Sequence, residues 1–223
     1  MTAATPSTPV TRRVPADDRR KQLIDTAMQL FAQKGFSGTT TREIARAAGV
    51  NEAIIFRFFP HKDDLYAAIL ERKSGEARTD ALVGELREAF ARDDDEAVIR
   101  IVVRHIVEHQ QRDPEFLRLM LHSALEKHSF ARQYRERHFA PLHQFLTEYV
   151  VARQHDGRFR TGQAEALVRA ILAVPVYHGL VETLLPDDSV KFGPDVIDTY
   201  TTFILQGLRA MPASTARPSE SFS

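Results

Sequence analysis

Apolar residues recur along this chain at three- and four-residue intervals and almost nowhere in strict alternation. That period gathers them on one face of a helix, not one face of a strand. Leu23, Ile24, Ala27, Leu30 and Phe31 form the first such stripe, predicting a helix over about 18–34 that stops at Gly35. A short helix follows Thr40 or Thr41 with Glu43 in its first turn, and a second starts after Asn51, a good N-cap. A fourth begins at the H-K-D-D-L step after Pro60 and runs past Leu70. Asp93-Asp94-Asp95 then opens a helix carrying Val98, Val102 and Ile106 on one face, and Asp113-Pro114 opens another with proline in its first turn. Helices over about 130–154, 164–185 and 194–210 complete an all-α chain of about nine helices, with strand content near zero.

Composition narrows what such a chain does. With 43% hydrophobic residues and 14 Phe among 223, it buries a sizeable core. The absence of Cys removes disulfides, thiolate metal sites and Cys nucleophiles. No apolar run approaches the ~20 residues that span a bilayer, and the opening segment lacks the apolar stretch of a secretory signal. A cytoplasmic protein with no membrane partner is therefore expected. The Pro-, Ser- and Thr-rich ends, 1–15 and 212–223, read as disordered tails. Thirty basic and thirty acidic residues cancel, which at first argues against a nucleic-acid partner. The cancellation is uneven, however: residues 1–62 hold ten Lys/Arg against five Asp/Glu, a net +5 that the remainder offsets with −5. A basic head on an acidic body favours phosphate contact at one end only.

The stretch T-T-T-R-E-I-A-R-A-A-G-V-N-E-A-I-I-F-R-F-F-P-H-K, from Thr39 to Lys62, carries the functional signal. Ala45, Gly49 and Ile55 stand at helix-turn-helix spacing: the small Ala admits a close helix crossing, Gly49 permits the turn, and Ile44, Val50, Ile55 and Phe59 supply the core. The spacing alone also fits many helical hairpins. Over residues 19–70, through R-R-K-Q-L-I-D-T-A-M-Q-L-F-A-Q-K-G-F, the stretch above and D-D-L-Y-A-A-I-L, the chain resembles the N-terminal domain of the TetR family of transcriptional regulators. The resemblance implies a three-helix DNA-binding head at 16–75 and a larger helical ligand-binding and dimerisation domain at 76–211. It assigns Thr41, Arg42 and Lys62 to phosphates, and Asn51, Glu52, Ala53 and Ile54 to base edges. Glu52 would accept from a cytosine amino group, while Ala53 or Ile54 would touch a thymine methyl. Arg57 reaches phosphate or a guanine edge, and Phe56 packs on a sugar or base methyl. Phe56 and Phe58 depart from the Tyr and His usual there, and Phe58 reads as core.

Beyond about residue 75 the resemblance loosens and side-chain chemistry must speak. The last helix aligns Val196, Ile197, Tyr200, Phe203, Ile204, Gly207 and Leu208, and the one before it carries Leu167, Ile171, Val174, Leu180, Val181 and Leu184. Contributed by two subunits, these faces would make a four-helix homodimer interface; alternatively they only close the monomer core. A dimer would engage half-sites roughly 34–36 Å apart on a palindromic double-stranded operator. Pro141 and Pro175 each remove a backbone hydrogen bond and kink a helix, which opens space for a small, largely apolar effector. Candidate lining residues are His105, Phe116, Met120, Phe139, Leu142, Phe145, Tyr177 and His178. His105 and His109 stand four apart, a spacing that can bind zinc, yet no third ligand is evident, and neither a metal nor another cofactor is expected. No catalytic motif is visible. The reading is a ligand-responsive repressor; a metal-dependent helical hydrolase using the His-rich middle region and a helical protein-binding adaptor are the alternatives.

Overall fold

The computed structural model describes residues 15–76, 79–186, 189, 192–193 and 195–210. Segments 1–14 and 211–223, which hold the tails expected to be disordered apart from Pro15, and Pro194, where the last helix was expected to start, lie outside the described residues. Among the described residues the chain forms α1 (Ala16–Lys34), α2 (Thr41–Ala47), α3 (Glu52–Phe58), α4 (Lys62–Glu76), α5 (Thr79–Ala91) and α6 (Asp95–Arg112). There follow α7 (Pro114–Leu125), α8 (Ser129–Tyr134), a π-helical turn (Arg135–Phe139), α9 (Ala140–His155), α10 (Ala164–Leu184) and α11 (Val196–Leu208). Extended pairing among them is limited to one bridge between Phe159 and Arg209.

The all-α expectation holds, with two more helices than the nine anticipated. α5 was passed over, although Leu82, Leu86 and Ala89 mark its buried face at helical spacing. The single helix expected over 130–154 divides at the π turn, where the Ala140 N–H reaches back to the Arg135 carbonyl. Pro141 therefore begins α9 instead of kinking a continuous helix.

Local chemistry starts and stops the head helices. Thr40 accepts from the Glu43 N–H while the Glu43 carboxylate accepts from the Thr40 N–H, a complete capping box for α2. Lys34 at 2.8 Å and the Thr40 donors hold the Glu43 carboxyl down at about 2. Asn51 caps α3 by accepting from the Ala53 N–H. Between them Gly49 takes φ 65°, left-handed backbone that turns α2 into α3 without Cβ strain.

Two apolar clusters form. The first joins Leu23, Ile24, Ala27 and Phe31 of α1 to Ile44, Ile55, Leu65, Tyr66 and Ile69, and runs on into Phe116 and Leu119 of α7 and Phe130 and Tyr134 of α8. The second gathers Leu86, Val98, Val102, Leu146, Tyr149, Ile171, Ile204 and Leu208 from α5, α6 and α9–α11. Packing thus groups α7 and α8 with the N-terminal head, although the chain reaches them only after α5 and α6. One further point corrects the sequence reading: α10 is long and apolar enough, by length and composition, to cross a membrane. It packs against α6, α7, α9 and α11, with Val168, Ile171, Pro175 and His178 buried.

Arg153 of α9 is the charged centre of the second cluster. Its guanidinium is 2.6 Å from Asp95 and 3.0 Å from Asp93, and lies over the Phe90 ring at 4.6 Å. The Tyr149 hydroxyl donates to the same Asp95 at 3.0 Å. Only Arg153 among the charged groups of this network is buried: Asp93 is 63% exposed, and Arg158 also reaches Asp93 at 3.3 Å and Asp95 at 3.6 Å. Arg153→Met is therefore expected to lower unfolding free energy by only about 1 kcal/mol, read from the urea midpoint with the slope unchanged.

Candidate functional site

The α2–turn–α3 hairpin is held from behind. Ile44 and Ile55 are fully buried, Phe59 nearly so, and the half-buried Phe58 packs on the same cluster, as its core reading anticipated. The outer surface is built from residues that this packing turns away. Asn51, Ala53, Phe56 and Arg57 are exposed, and Thr41, Glu52 and Ile54 are partly so. The Arg42 side chain is 88% exposed. Phe56 leaves 47% of its surface in solvent beside them.

Four of the residues anticipated to meet DNA, Thr41, Arg42, Glu52 and Lys62, are already engaged inside the fold. The Thr41 hydroxyl donates to Glu52 Oε1 at 2.6 Å, and Arg42 Nε lies 3.9 Å from Glu52 Oε2. The carboxylate therefore ties α3 to the start of α2 and has its charge offset locally. Lys62 donates to the carbonyls of Phe36 at 2.7 Å and Thr39 at 3.0 Å, with its ammonium 4.0 Å from the centre of the Phe36 ring. Two of its three N–H donors thus lock the α1–α2 connection onto α4.

A cavity of about 150 Å³ lies where the two apolar clusters meet. The first cluster contributes Phe116, Met120 and Tyr134; Leu82, Ile106, Leu142 and Val176 close the other side. Of the residues anticipated from sequence, His105, Phe116, Met120, Phe139 and Leu142 line it. Phe145 does not: it is buried in the second cluster, edge-on to Phe90. Tyr177 is 68% exposed on the outer face of α10. His178 is buried beneath Tyr200, whose hydroxyl lies 3.2 Å from its Nδ1.

Sequence reasoning missed Thr79 and His138, which are 2.8 Å apart through Thr79 Oγ1 and His138 Nδ1 and both line the cavity. Thr79 starts the overlooked α5, and His138 sits in the π turn, which periodicity cannot show. The A-P step two residues after His138 was the available signal. Burial and nearby Arg137 push the His138 pKa down, and burial lowers His105 likewise. Among the described residues no group of three or more His, Asp or Glu lies together as a metal site would require.

The cavity wall connects directly to the head. Asp113, at the junction of α6 and α7, is 2.5 Å from Lys73 of α4. Glu126, at the end of α7, accepts from the Phe36 N–H at 3.0 Å and the Ser37 N–H at 3.3 Å. Rings run from the head to the cavity: Phe31 meets Tyr66 at 4.8 Å, Tyr66 meets Phe130 at 4.9 Å, and Phe116 meets Tyr134 at 4.8 Å.

The faces of α10 and α11 are divided. Ile171, Ile204 and Leu208 are buried within the protomer, so part of each stripe closes its own core. Ala166, Ala170, Ala173 and Tyr177 of α10 face outward, beside Phe203 of α11, which is 66% exposed.

Comparison with known proteins agrees with this geometry. The family model for bacterial regulatory proteins of the tetR family matches residues 23–69. Over 54 residues the chain is 50% identical to the uncharacterized HTH-type transcriptional regulator YvkB of Bacillus subtilis, covering 24% of this chain and 29% of that protein. Over 106 residues it is 32% identical to the HTH-type transcriptional repressor Rv1474c of Mycobacterium tuberculosis, covering 45% of this chain and 55% of that one. The chain thus spans about half, or less, of the curated relatives it matches. The crystal structure of a tetR-family bacterial regulatory protein from Rhodococcus RHA1 superposes with a TM-score of 0.60 at 20% identity, covering 87% of this chain and 98% of that one. Residues 23–69 thus match the model of the tetR-family N-terminal domain, and the whole helical chain shares its fold with the Rhodococcus protein.

Proposed function

We propose that this protein is a homodimeric, ligand-responsive regulator of transcription. It occupies a palindromic operator in the cytoplasm and leaves it when a small, largely apolar effector binds, so it acts as a repressor. One observation carries the reading: the core of an exposed, basic helix-turn-helix head continues without a break into the wall of an apolar cavity. A head, a receptor site and a rigid connection between them are what such a regulator requires, and the matched relatives are named as transcriptional regulators.

In this reading α3 enters the major groove. Asn51, Ala53, Ile54 and Arg57 meet base edges, Phe56 packs on a base methyl or sugar, and Thr41 and Arg42 meet phosphate. Glu52 is reserved for a base amino group only if Thr41 releases it; otherwise it orients Thr41. Lys62 serves mainly by holding the turn that presents Thr41. Effector in the cavity presses Phe116 and Met120 away from Leu82 and Leu142. Because α7 shares its core with α1 and α4, that displacement tilts the head. The effector must bind the DNA-free form more tightly, by the same factor with which DNA weakens its binding.

Dimerisation is assigned to the outward faces of α10 and α11, where Ala166, Ala170 and Ala173 let a second helix approach closely beside Tyr177 and Phe203. An exposed stripe of this kind accounts for the apolar length of α10 without a membrane.

The DNA reading is tested with the purified chain and a labelled promoter fragment from upstream of its own gene. Arg57→Ala is expected to weaken specific binding about tenfold to a hundredfold. Arg42→Ala should instead flatten the dependence of log K on log salt by about one unit for each half-site. Wild-type protein that shifts no such fragment at low salt refutes the reading. For the interface, Phe203→Glu is expected to convert a dimer to a monomer by light scattering while leaving helical content intact.

A further inference from the structure

We propose that the seam cavity selects an uncharged, single-ring aromatic molecule bearing a hydroxyl group, of phenol-like chemistry, which hydrogen-bonds to His138 Nε2. This rests on the effector reading above and names the chemical class of the effector.

Size comes first. The space is about 150 Å³ and partly open, with Phe139 at its edge 47% exposed, and an apolar cavity of that order holds one benzene-sized molecule. Fused or multiple rings would project from it into solvent. Shape agrees: Phe116, Tyr134 and Phe139 supply ring faces and edges, while Met120, Leu82 and Leu142 are adaptable aliphatic walls.

Charge comes second. Asp113 is the one carboxylate among the lining residues, and it is paired with Lys73; no Lys or Arg lines the space. An anion would be desolvated with no Lys or Arg to meet it, only the lining His109 ring, and a cation would find the carboxylate already taken. Desolvation lowers the pKa values of the partly buried His105 and His138, which favours their neutral forms.

The polar handle comes third. His138 Nδ1 is bonded to Thr79, whereas Nε2 has no partner and is covered, so a ligand meets it only when the ring turns toward the cavity. An unpaired buried nitrogen is costly, and a ligand that satisfies it gains accordingly. Whether Nε2 carries the proton depends on whether Thr79 donates to Nδ1 or accepts from it. A hydroxyl can both donate and accept, so it satisfies either tautomer, which a carbonyl or an ether cannot. The Gln110 carbonyl oxygen is also unpartnered, but that side chain is packed so closely on Gly179 that any Cβ there would collide with it. It therefore belongs to the α6–α10 contact.

The test uses the full chain and three probes of similar size: phenol, toluene and benzoate, each titrated by calorimetry. Phenol is expected to bind about tenfold more tightly than toluene, the worth of one buried hydrogen bond, and benzoate more weakly than both. His138→Phe should erase the preference for phenol over toluene while retaining toluene binding. Met120→Trp fills the space and should abolish binding of all three probes, with unfolding temperature recording that each variant is folded. Benzoate binding as tightly as phenol, an undiminished phenol preference in His138→Phe, or no binding of phenol overturns the proposal. A parallel operator titration separates the two readings. Operator binding released only by effectors of another class refutes the phenol chemistry and leaves the regulator; phenol binding without operator binding does the reverse.

Discussion

Aromatic contact between the head and the body is the constraint from which the rest of this structure follows. Tyr66 of α4 meets Phe31 of α1 at 4.8 Å on one side and Phe130 of α8 at 4.9 Å on the other. Phe130 then reaches Phe116 at 6.1 Å, and Tyr134 joins Phe116 to His138. Rings packed at crystal-like density do not slide past one another; a shift of one displaces its neighbours as a group. Burial drives the Tyr66 phenol well above its ordinary range, as expected of a hydroxyl enclosed among apolar rings.

Polar links fix the direction in which that group can move. Glu126 holds the backbone of Phe36 and Ser37, and Lys62 grips the carbonyls of Phe36 and Thr39 from the opposite element. The α1–α2 connection is thus clamped at both its N–H and its C=O groups, so the recognition hairpin moves with α4 and α7 together. The Lys73–Asp113 pair adds a third link where α4 passes the junction of α6 and α7. Being largely buried, it is less screened by salt than the exposed Arg42, and it belongs to the framework of the head, not to its outward face.

Much of this was legible in the sequence because it rests on local rules. The α1 stripe, the capping box at Thr40, the Asn51 cap and Gly49 each state their element from a few neighbouring residues. The helix-turn-helix could be placed because spacing and core residues agree there. The body was harder. Which apolar face of α10 or α11 turns inward depends on partners remote in the chain, so Ile204 and Phe203, adjacent and equally apolar, have opposite fates. Phe145 and Tyr177 carry the right chemistry for a cavity wall but point elsewhere, while His138 reaches the wall through a backbone irregularity with no periodic signature. The roles of Glu52 and Lys62 depend on the Thr41 hydroxyl and the Phe36 and Thr39 carbonyls, partners that sequence separation conceals.

The π turn at Arg135–Phe139 has a consequence for how such a protein changes over time. One residue more than an α-helical turn is accommodated there, and each residue of helix advances the side-chain direction by about 100°. Loss of a single codon in that turn would rotate the wall that precedes it relative to α9, withdrawing His138 from its place beside Thr79. Pro141 would still begin α9, and the head would keep its own contacts. The lining of the cavity is therefore open to replacement by one short deletion, while the outer face of α2 and α3 is inherited unaltered.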